Sequence, residues 1–270
     1  MQPTEPHVHR KRFGQHFLVD QHAIAEILRA VDPHPGEPLL EIGPGEGVLT
    51  APLVASGAAV HAIEIDRDLV QRLRARFAGE ANFTLHPGDV LKFDFTALPP
   101  APSGWKVVGN LPYNISTPLI LALLRHAGLF SRLVVMVQRE VAERLAAPPG
   151  GDSYGRLSVM VQRRCEVRPV LELGPYSFDP PPKVDSSVVE LRPFAEARDE
   201  AFEERLGDLV RIAFSARRKT LGNALKGAVA RADIERAGID PGLRAEALSV
   251  EDFVRLARLL DAGHKLDAEA

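Results

Sequence analysis

The stretch PLLEIGPGEG at residues 38–47 decides the fold of this chain. Its first half, Pro38 to Ile42, is a short apolar run of the kind that forms a buried strand. Glycines then alternate from Gly43 to Gly47, and a helical pattern follows. Glycines at such a turn let backbone amides approach a ligand closely and point a helix N-terminus at it. A tight strand–helix turn can need the same glycines without a ligand, so this stretch alone indicates a βα unit.

The alternation of strand and helix continues outward from this stretch. Further strands are predicted at Ala59–Ile65, Asn82–His86, Lys106–Val108, Leu133–Gln138, Cys165–Leu173 and Val188–Leu191. Helical patterns lie between the early ones, at Leu49–Ser56, Arg67–Ala78 and Pro118–Arg125. This βαβα order predicts an α/β fold, with a parallel sheet and helices on both of its faces. The two late strands predict an edge of the sheet in which one strand is antiparallel.

After about Phe194 the strand patterns stop and helical patterns take over. Apolar residues at Val210, Phe214, Leu221 and Leu225 recur at helical spacing and predict the buried face of one helix. We therefore predict a domain boundary near residue 195. A Rossmann-like domain would span 1–195, and a helical domain would span 196–270.

Composition limits what the chain can be. It has 270 residues, a formal net charge of −3 and one cysteine, Cys165, which excludes an intrachain disulfide and a multi-cysteine zinc site. The nine histidines show no metal-ligand spacing, so we expect no metal. There is no run of 18 apolar residues, so we expect no membrane span. These features favour a cytoplasmic globular protein.

A basic segment, defined as residues 211–232, contains Arg and Lys but no Asp or Glu. Because the net charge of the whole chain is slightly negative, any nucleic-acid contact must use such local clusters. We expect Arg211, Arg217, Arg218 and Lys219 to contact RNA. A solvated helix face would have the same composition.

An acidic residue follows the second predicted strand. Glu64 lies about 20 residues after Gly43, where a carboxylate can accept both hydroxyl groups of a ribose. Together with the glycine turn this indicates a nucleoside cofactor. NAD is one alternative, but the dinucleotide motif places glycine where this chain has Val48. The departure favours a cofactor without phosphate, S-adenosylmethionine.

Two motifs follow the next predicted strands. Asp89 can accept a hydrogen bond from the amine of adenine, although a lone Asp caps a turn just as often. In the NLPY motif, the Asn110 side chain and the Leu111 carbonyl can each accept one N–H of an exocyclic adenine amine. This orients the nitrogen toward a methyl donor. Tyr113 offers a ring on which the base can stack.

With further segments, these motifs resemble the ribosomal RNA adenine N6-dimethyltransferases, most closely the KsgA (RsmA) type. The segments that carry the resemblance are GQHFL at 14–18, EIGPGEG at 41–47, EID at 64–66, GDV at 88–90, NLPY at 110–113, QREVA at 138–142, FDPPPKV at 178–184 and FSARRKTL at 214–221. They occur in the family's order. This chain has His16 where many members have Asn.

The resemblance implies a class I methyltransferase fold, with a mostly parallel seven-stranded sheet and a small helical C-terminal domain. It implies dimethylation of two adjacent adenosines in the 3′-terminal hairpin loop of 16S rRNA, within assembling 30S particles, by a monomer. Carried over by position, the S-adenosylmethionine contacts are His16, Leu18, Gly43, Glu64, Asp89 and Asn110. The target base would lie between Tyr113 and Phe178.

Two other functions share parts of this pattern. A 23S rRNA dimethylase of the macrolide-resistance type has the same core motifs, but the segments FSARRKTL and RAEALSVEDF favour the 16S enzyme. A non-catalytic transcription or assembly factor on the same fold is disfavoured by the intact NLPY and cofactor motifs.

Overall fold

A computed structural model describes residues 16–196, 198–216 and 218–268 of the chain. The described residues form two compact units. The first contains the residues up to Ala142 together with Val167–Pro193, and the second contains Glu143–Glu166 together with the residues from Phe194 onward. The predicted boundary near 195 did not anticipate that the segment 143–166 groups with the second unit. Tyr154 and Val159 of this segment pack into the apolar core of that unit, which explains the grouping.

The strands, numbered in chain order, are β1 (Phe17–Leu18), β2 (Pro38–Ile42), β3 (Ala59–Glu64), β4 (Phe83–Pro87), β5 (Trp105–Asn110), β6 (Phe130–Gln138), β7 (Cys165–Leu173), β8 (Phe178–Asp179) and β9 (Ser186–Pro193). The helices are α1 (Gln21–Val31), α2 (Thr50–Ala55), α3 (Arg67–Arg76), α4 (Ser116–Arg125), α5 (Arg139–Ala146), α6 (Arg156–Gln162), α7 (Glu200–Ala213), α8 (Leu221–Ala224), α9 (Arg231–Arg236) and α10 (Val250–Ala268).

A seven-stranded sheet with the order β4-β3-β2-β5-β6-β9-β7 forms the centre of the first unit. Strands β4, β3, β2, β5 and β6 pair in parallel, and β9 pairs with β6 in antiparallel orientation. This confirms the predicted mostly parallel sheet, with an antiparallel strand among the two late strands. The short strands β1 and β8 form a separate antiparallel pair, in which Leu18 lies opposite Phe178.

The parallel order places three sequence motifs at one edge of the sheet. Strands β2, β3 and β5 are adjacent, and the glycine turn, Glu64 and Asn110 lie at their carboxyl ends. In open α/β sheets ligands bind at this edge, where the helices begin and the loops are free to vary. Strand β2 is buried from Leu39 to Ile42, so both faces of the strand are covered.

Helices form the second unit, and one prediction for this unit is wrong. The apolar residues from Val210 to Leu225 do not lie on one helix, because α7 ends at Ala213 and α8 begins at Leu221. Val210, Leu221 and Leu225 nevertheless pack in the same core cluster, together with Phe253 of α10. The apolar spacing typical of one helix therefore continues across the break, because both helices bury their apolar faces in the same core.

Candidate cofactor and target-base site

A cavity of about 430 Å³ opens in the first unit at the carboxyl edge of the parallel strands. Its lining includes eight of the predicted site residues, which are His16, Leu18, Gly43, Glu64, Asp89, Asn110, Leu111 and Tyr113. The structure thus brings together residues that lie almost 100 positions apart in the chain. Whether each contacts the cofactor or the base stays a prediction.

The glycine turn and Glu64 are tied to each other. The Gly45 amide donates to Glu64 Oε2 over 3.2 Å, and the Asp66 amide donates to Oε1 over 2.8 Å. Gly45 has a φ of +59°, and a Cβ at this position would lie 3.0 Å from the Phe17 ring. Burial raises the pKa of Glu64, and the two amide hydrogen bonds oppose this increase. The carboxylate is thereby oriented before a ligand arrives.

Glu41 is a residue of this site that the sequence reasoning did not single out. Its side chain lines the cavity but is only 1% exposed, and Oε2 has no hydrogen-bond partner among the described residues. Burial raises the pKa of Glu41 to about 7; the Thr50 hydroxyl opposes this increase, and the charge of Glu64 adds a smaller contribution to it. Such a carboxylate is suited to a positively charged ligand group. The sequence signal for this residue is an acidic side chain at the end of an apolar strand, two positions before the first glycine of the turn.

The NLPY motif presents hydrogen-bond acceptors to the cavity. The Asn110 Nδ2 group donates to the His16 carbonyl over 2.8 Å, which leaves Oδ1 as the other polar atom of the side chain. The Leu111 amide is bonded to the Met136 carbonyl at 3.0 Å. Both contacts hold the turn after β5 in place, so the acceptors of Asn110 and Leu111 are fixed before a substrate binds.

The ring of Tyr113 is held from two sides. Its hydroxyl group lies 2.6 Å from Ser186 Oγ, and its ring stacks on His16 with a centroid separation of 5.9 Å. The His16 Nδ1 atom in turn lies 2.7 Å from the Pro180 carbonyl. Hence the Tyr113 ring, on which a base would stack, has little freedom to rotate.

The remaining cofactor candidates differ in what their side chains do. Leu18 is buried and packs in the core of the first unit. Asp89 lines the cavity, and its Oδ1 also accepts from the Leu91 amide at 3.0 Å, so it caps the following turn. Both interpretations of this residue, ligand contact and turn cap, are compatible with its position.

Phe178 occupies a different environment from the one predicted. Its side chain is 3% exposed and belongs to the core cluster that contains Leu18 and Ile24. In this arrangement the ring has no open face for a base, because strand β8 turns it into the core beside β1. Stacking by Phe178 would require the ring to become accessible.

The basic residues predicted to contact RNA lie in the second unit. Arg211 is on α7 and forms an ion pair with Asp208 at 3.2 Å, so the lack of acids within the basic segment did not leave it unpaired. Arg218 and Lys219 are exposed in the turn that precedes α8. Arg218 also lines a small cavity of about 220 Å³ together with Arg244 and Asp152. Arg217 lies outside the described residues.

The described part of the chain has neither a metal-binding cluster nor a membrane-spanning helix. No group of three or more His, Cys, Asp or Glu side chains in it could hold a metal ion. No helix in it is long and apolar enough to cross a membrane.

Comparison with protein families and sequences gave a consistent result. The sequence model of the family described as "Ribosomal RNA adenine dimethylase" matches residues 7–262. A protein of Pseudomonas fluorescens named "Ribosomal RNA small subunit methyltransferase A" is 53% identical over 257 residues, which cover 94% of this chain and 95% of that protein. A protein of the same name from Pseudomonas aeruginosa is 53% identical over 258 residues, with coverages of 94% and 95%.

Two solved structures resemble the fold over nearly its whole length. A dimethyladenosine transferase from Plasmodium falciparum has a TM-score of 0.76 at 30% identity and covers 93% of this chain and 98% of its own. The 23S rRNA methyltransferase ErmE has a TM-score of 0.70, also at 30% identity, with coverages of 91% and 99%.

Proposed function

The chain belongs to the ribosomal RNA adenine dimethylase family, and from this premise we propose that it dimethylates N6 of two adjacent adenosines in the 3′-terminal hairpin loop of 16S rRNA. It is an enzyme, and its methyl donor is S-adenosylmethionine. The observation that carries the proposal is that the glycine turn, Glu64 and the NLPY motif line one cavity. A methyl donor and a target adenine that bind in this cavity would lie next to each other.

The cavity fits S-adenosylmethionine by the chemistry of its polar groups. Glu41 Oε2 is buried without a partner among the described residues, and a cationic ligand would supply one. Glu64, fixed by the amides of Gly45 and Asp66, offers carboxylate oxygens suited to ribose hydroxyls. When bound, S-adenosylmethionine supplies a methyl group on a positively charged sulfur atom.

The residues of the NLPY motif would orient the adenine amine. Its lone pair is delocalised into the ring, which makes the nitrogen a poor nucleophile. Because Nδ2 of Asn110 is committed to the His16 carbonyl, Oδ1 is positioned to accept one N–H, and the Leu111 carbonyl would accept the other. Two acceptors favour the tetrahedral nitrogen that forms during transfer. Tyr113 would hold the ring of the base by stacking.

A general base is not required in this scheme. The nitrogen that has gained a methyl group carries a positive charge and is acidic, so its proton can leave to solvent. The task of the site residues is therefore positioning and electrostatic support for the amine. This matches a site built from amide and carbonyl oxygens rather than from a titrating base.

Docking of the RNA would involve the basic segment of the second unit. Arg218 and Lys219 are exposed, and Arg211 is on the surface of α7 beside Asp208. Phosphate contacts by such side chains give affinity and register but do not select the base. We further propose that the substrate is the assembling small subunit in the cytoplasm and that the protein acts as a monomer.

The experiment that tests this function uses purified protein, labelled S-adenosylmethionine and unmethylated small subunits, with large subunits as the parallel substrate. Mass spectrometry of the nucleosides should find two dimethyladenosines per small subunit and none in the large subunit. Modification of 23S rRNA instead would support the macrolide-resistance type, to which the similarity with ErmE points. Absence of methyl transfer to both, with bound subunits, would support a non-catalytic assembly factor.

A further inference from the structure

Exposed apolar side chains of the first unit are not scattered over its surface. Among the described residues of this unit, the large hydrophobic side chains that are exposed are Val19, Ile65, Leu91, Tyr176 and Val184. Val19 and Ile65 line the cavity, and Leu91 follows Val90, which also lines it. Isolated exposed hydrophobic residues need no explanation, but exposed hydrophobic residues in and next to the lining of one cavity indicate a binding surface.

Tyr176 is the most exposed member of this set, at 92%. Its position is nevertheless fixed by the residues on its C-terminal side. The Ser177 carbonyl accepts from the Val19 amide at 2.9 Å and from the Asp20 amide at 3.3 Å, while Ser177 Oγ donates to Asp20 Oδ2 at 2.9 Å. Phe178, the next residue, is buried in the core. The Tyr176 ring is therefore displayed by an ordered turn.

The same contacts place the backbone at Tyr176 next to a residue of the cavity lining. Ser177 is bonded to Val19, which lines the cavity, and consecutive Cα atoms are about 3.8 Å apart. Val184 lies two residues before Ser186, whose hydroxyl contacts that of Tyr113. Hence both exposed residues are close in the chain to residues that contact the cavity lining, but neither lines the cavity itself.

We propose that Tyr176 stacks on an unpaired base of the RNA loop that neighbours the target adenosines. This inference rests on the proposed function, since it takes the ligand of this ring to be RNA. Proteins recognise single-stranded RNA loops by stacking splayed bases on aromatic rings, and such a ring must be exposed and held in place before binding. Tyr176 meets both conditions, and the turn that carries it is bonded to Val19 of the cavity lining.

Three variants test the inference. Tyr176→Ala removes the ring, Tyr176→Phe keeps it without the hydroxyl group, and Phe194→Ala removes an exposed aromatic ring from the second unit as a matched control. Steady-state methylation of small subunits should give a KM that is about five- to one-hundredfold higher for Tyr176→Ala. Its kcat, cofactor affinity and melting temperature should match those of the wild type. Tyr176→Phe and Phe194→Ala should match the wild type throughout.

A direct readout is the fluorescence of 2-aminopurine placed beside the target adenosines in a synthetic hairpin RNA. Wild-type protein and Tyr176→Phe should quench it on binding, and Tyr176→Ala should not. Wild-type quenching by Tyr176→Ala, or equal loss in the Ala and Phe variants, would overturn the inference. If wild-type protein methylates small subunits while Tyr176→Ala is unchanged, only this inference fails. If wild-type protein methylates none, the proposed function fails.

Discussion

The cavity of the first unit and the basic segment of the second unit present polar groups to a ligand in opposite ways. In the cavity, Glu64 and Asn110 are held by hydrogen bonds to backbone groups. In the basic segment, Arg211 is 55% exposed and shares its charge with Asp208, one turn away. A fixed group loses little entropy on binding and can impose geometry, whereas a solvated charge contributes long-range attraction that salt screens. The first arrangement suits chemistry and the second suits docking.

The largest effect is expected on kcat, from the residue that orients the target amine. Asn110→Ala should lower kcat by about 10²–10³-fold, the cost of removing one preorganised hydrogen-bonding group that acts on the transition state. Affinity for small subunits should change little, because phosphate contacts supply most of it. Single-turnover methylation measures the rate of transfer, and filter binding on the same preparation measures the affinity for small subunits. A comparable loss in subunit binding, with the fold intact by circular dichroism, would contradict the separation of chemistry from docking.

We expect the buried carboxyl group of Glu41 to lower the stability of the folded protein as pH rises. Below pH 4.5 its carboxyl group is neutral in both states, and between pH 4.5 and about 7 it ionises only in the unfolded chain, so stability declines as pH rises through this window. Without cofactor, the stability advantage of Glu41→Gln over wild type should therefore be about 2–3 kcal/mol larger at pH 8 than at pH 5. Urea unfolding of both proteins at the two pH values measures this. An equal difference at both would show that Glu41 titrates normally.

Glu64 tests whether a fixed carboxylate binds the cofactor. Glu64→Ala should weaken S-adenosylmethionine binding about ten- to one-hundredfold, because hydrogen bonds to a charged group contribute about 1.5–3 kcal/mol. Isothermal titration calorimetry measures the dissociation constant. Asp89→Ala is the matched comparison at the neighbouring strand end, since Asp89 also caps its own turn. A wild-type dissociation constant for Glu64→Ala would remove this residue from the site.

The smallest and most salt-dependent effect is expected in the basic segment. Changing Arg218 and Lys219 to Ala should weaken subunit binding and flatten its log–log salt slope by about 0.7–0.9 for each lost phosphate contact. Arg231→Ala is the control, because this exposed arginine is paired with Glu235. Cofactor affinity should stay unchanged. An unchanged slope with a lower melting temperature would mean that the two side chains stabilise the second unit instead.

Glu41 and the basic segment also show why some features could not be predicted. Burial of Glu41 arises because β2 lies between β3 and β5, which its own sequence does not reveal. The break between α7 and α8 was missed because apolar residues four or seven positions apart satisfy one long helix and two short ones equally well. Likewise, the predicted boundary near 195 assigned Tyr154 and Val159 to the first domain, whereas both residues pack in the core of the second unit.

The sequence by itself determined the seven sheet strands in their order along the chain, the mostly parallel sheet, the glycine turn, and the residues of the NLPY motif. These features depend on local patterns, namely apolar runs, turn residues and short spacings, which neighbouring residues create. Only the tertiary structure decided that Glu41 is buried, that Phe178 lies in the core, and that Tyr176 is exposed on an ordered turn. Burial and hydrogen bonding are set by segments distant in the chain, so their outcome appears only once those segments pack.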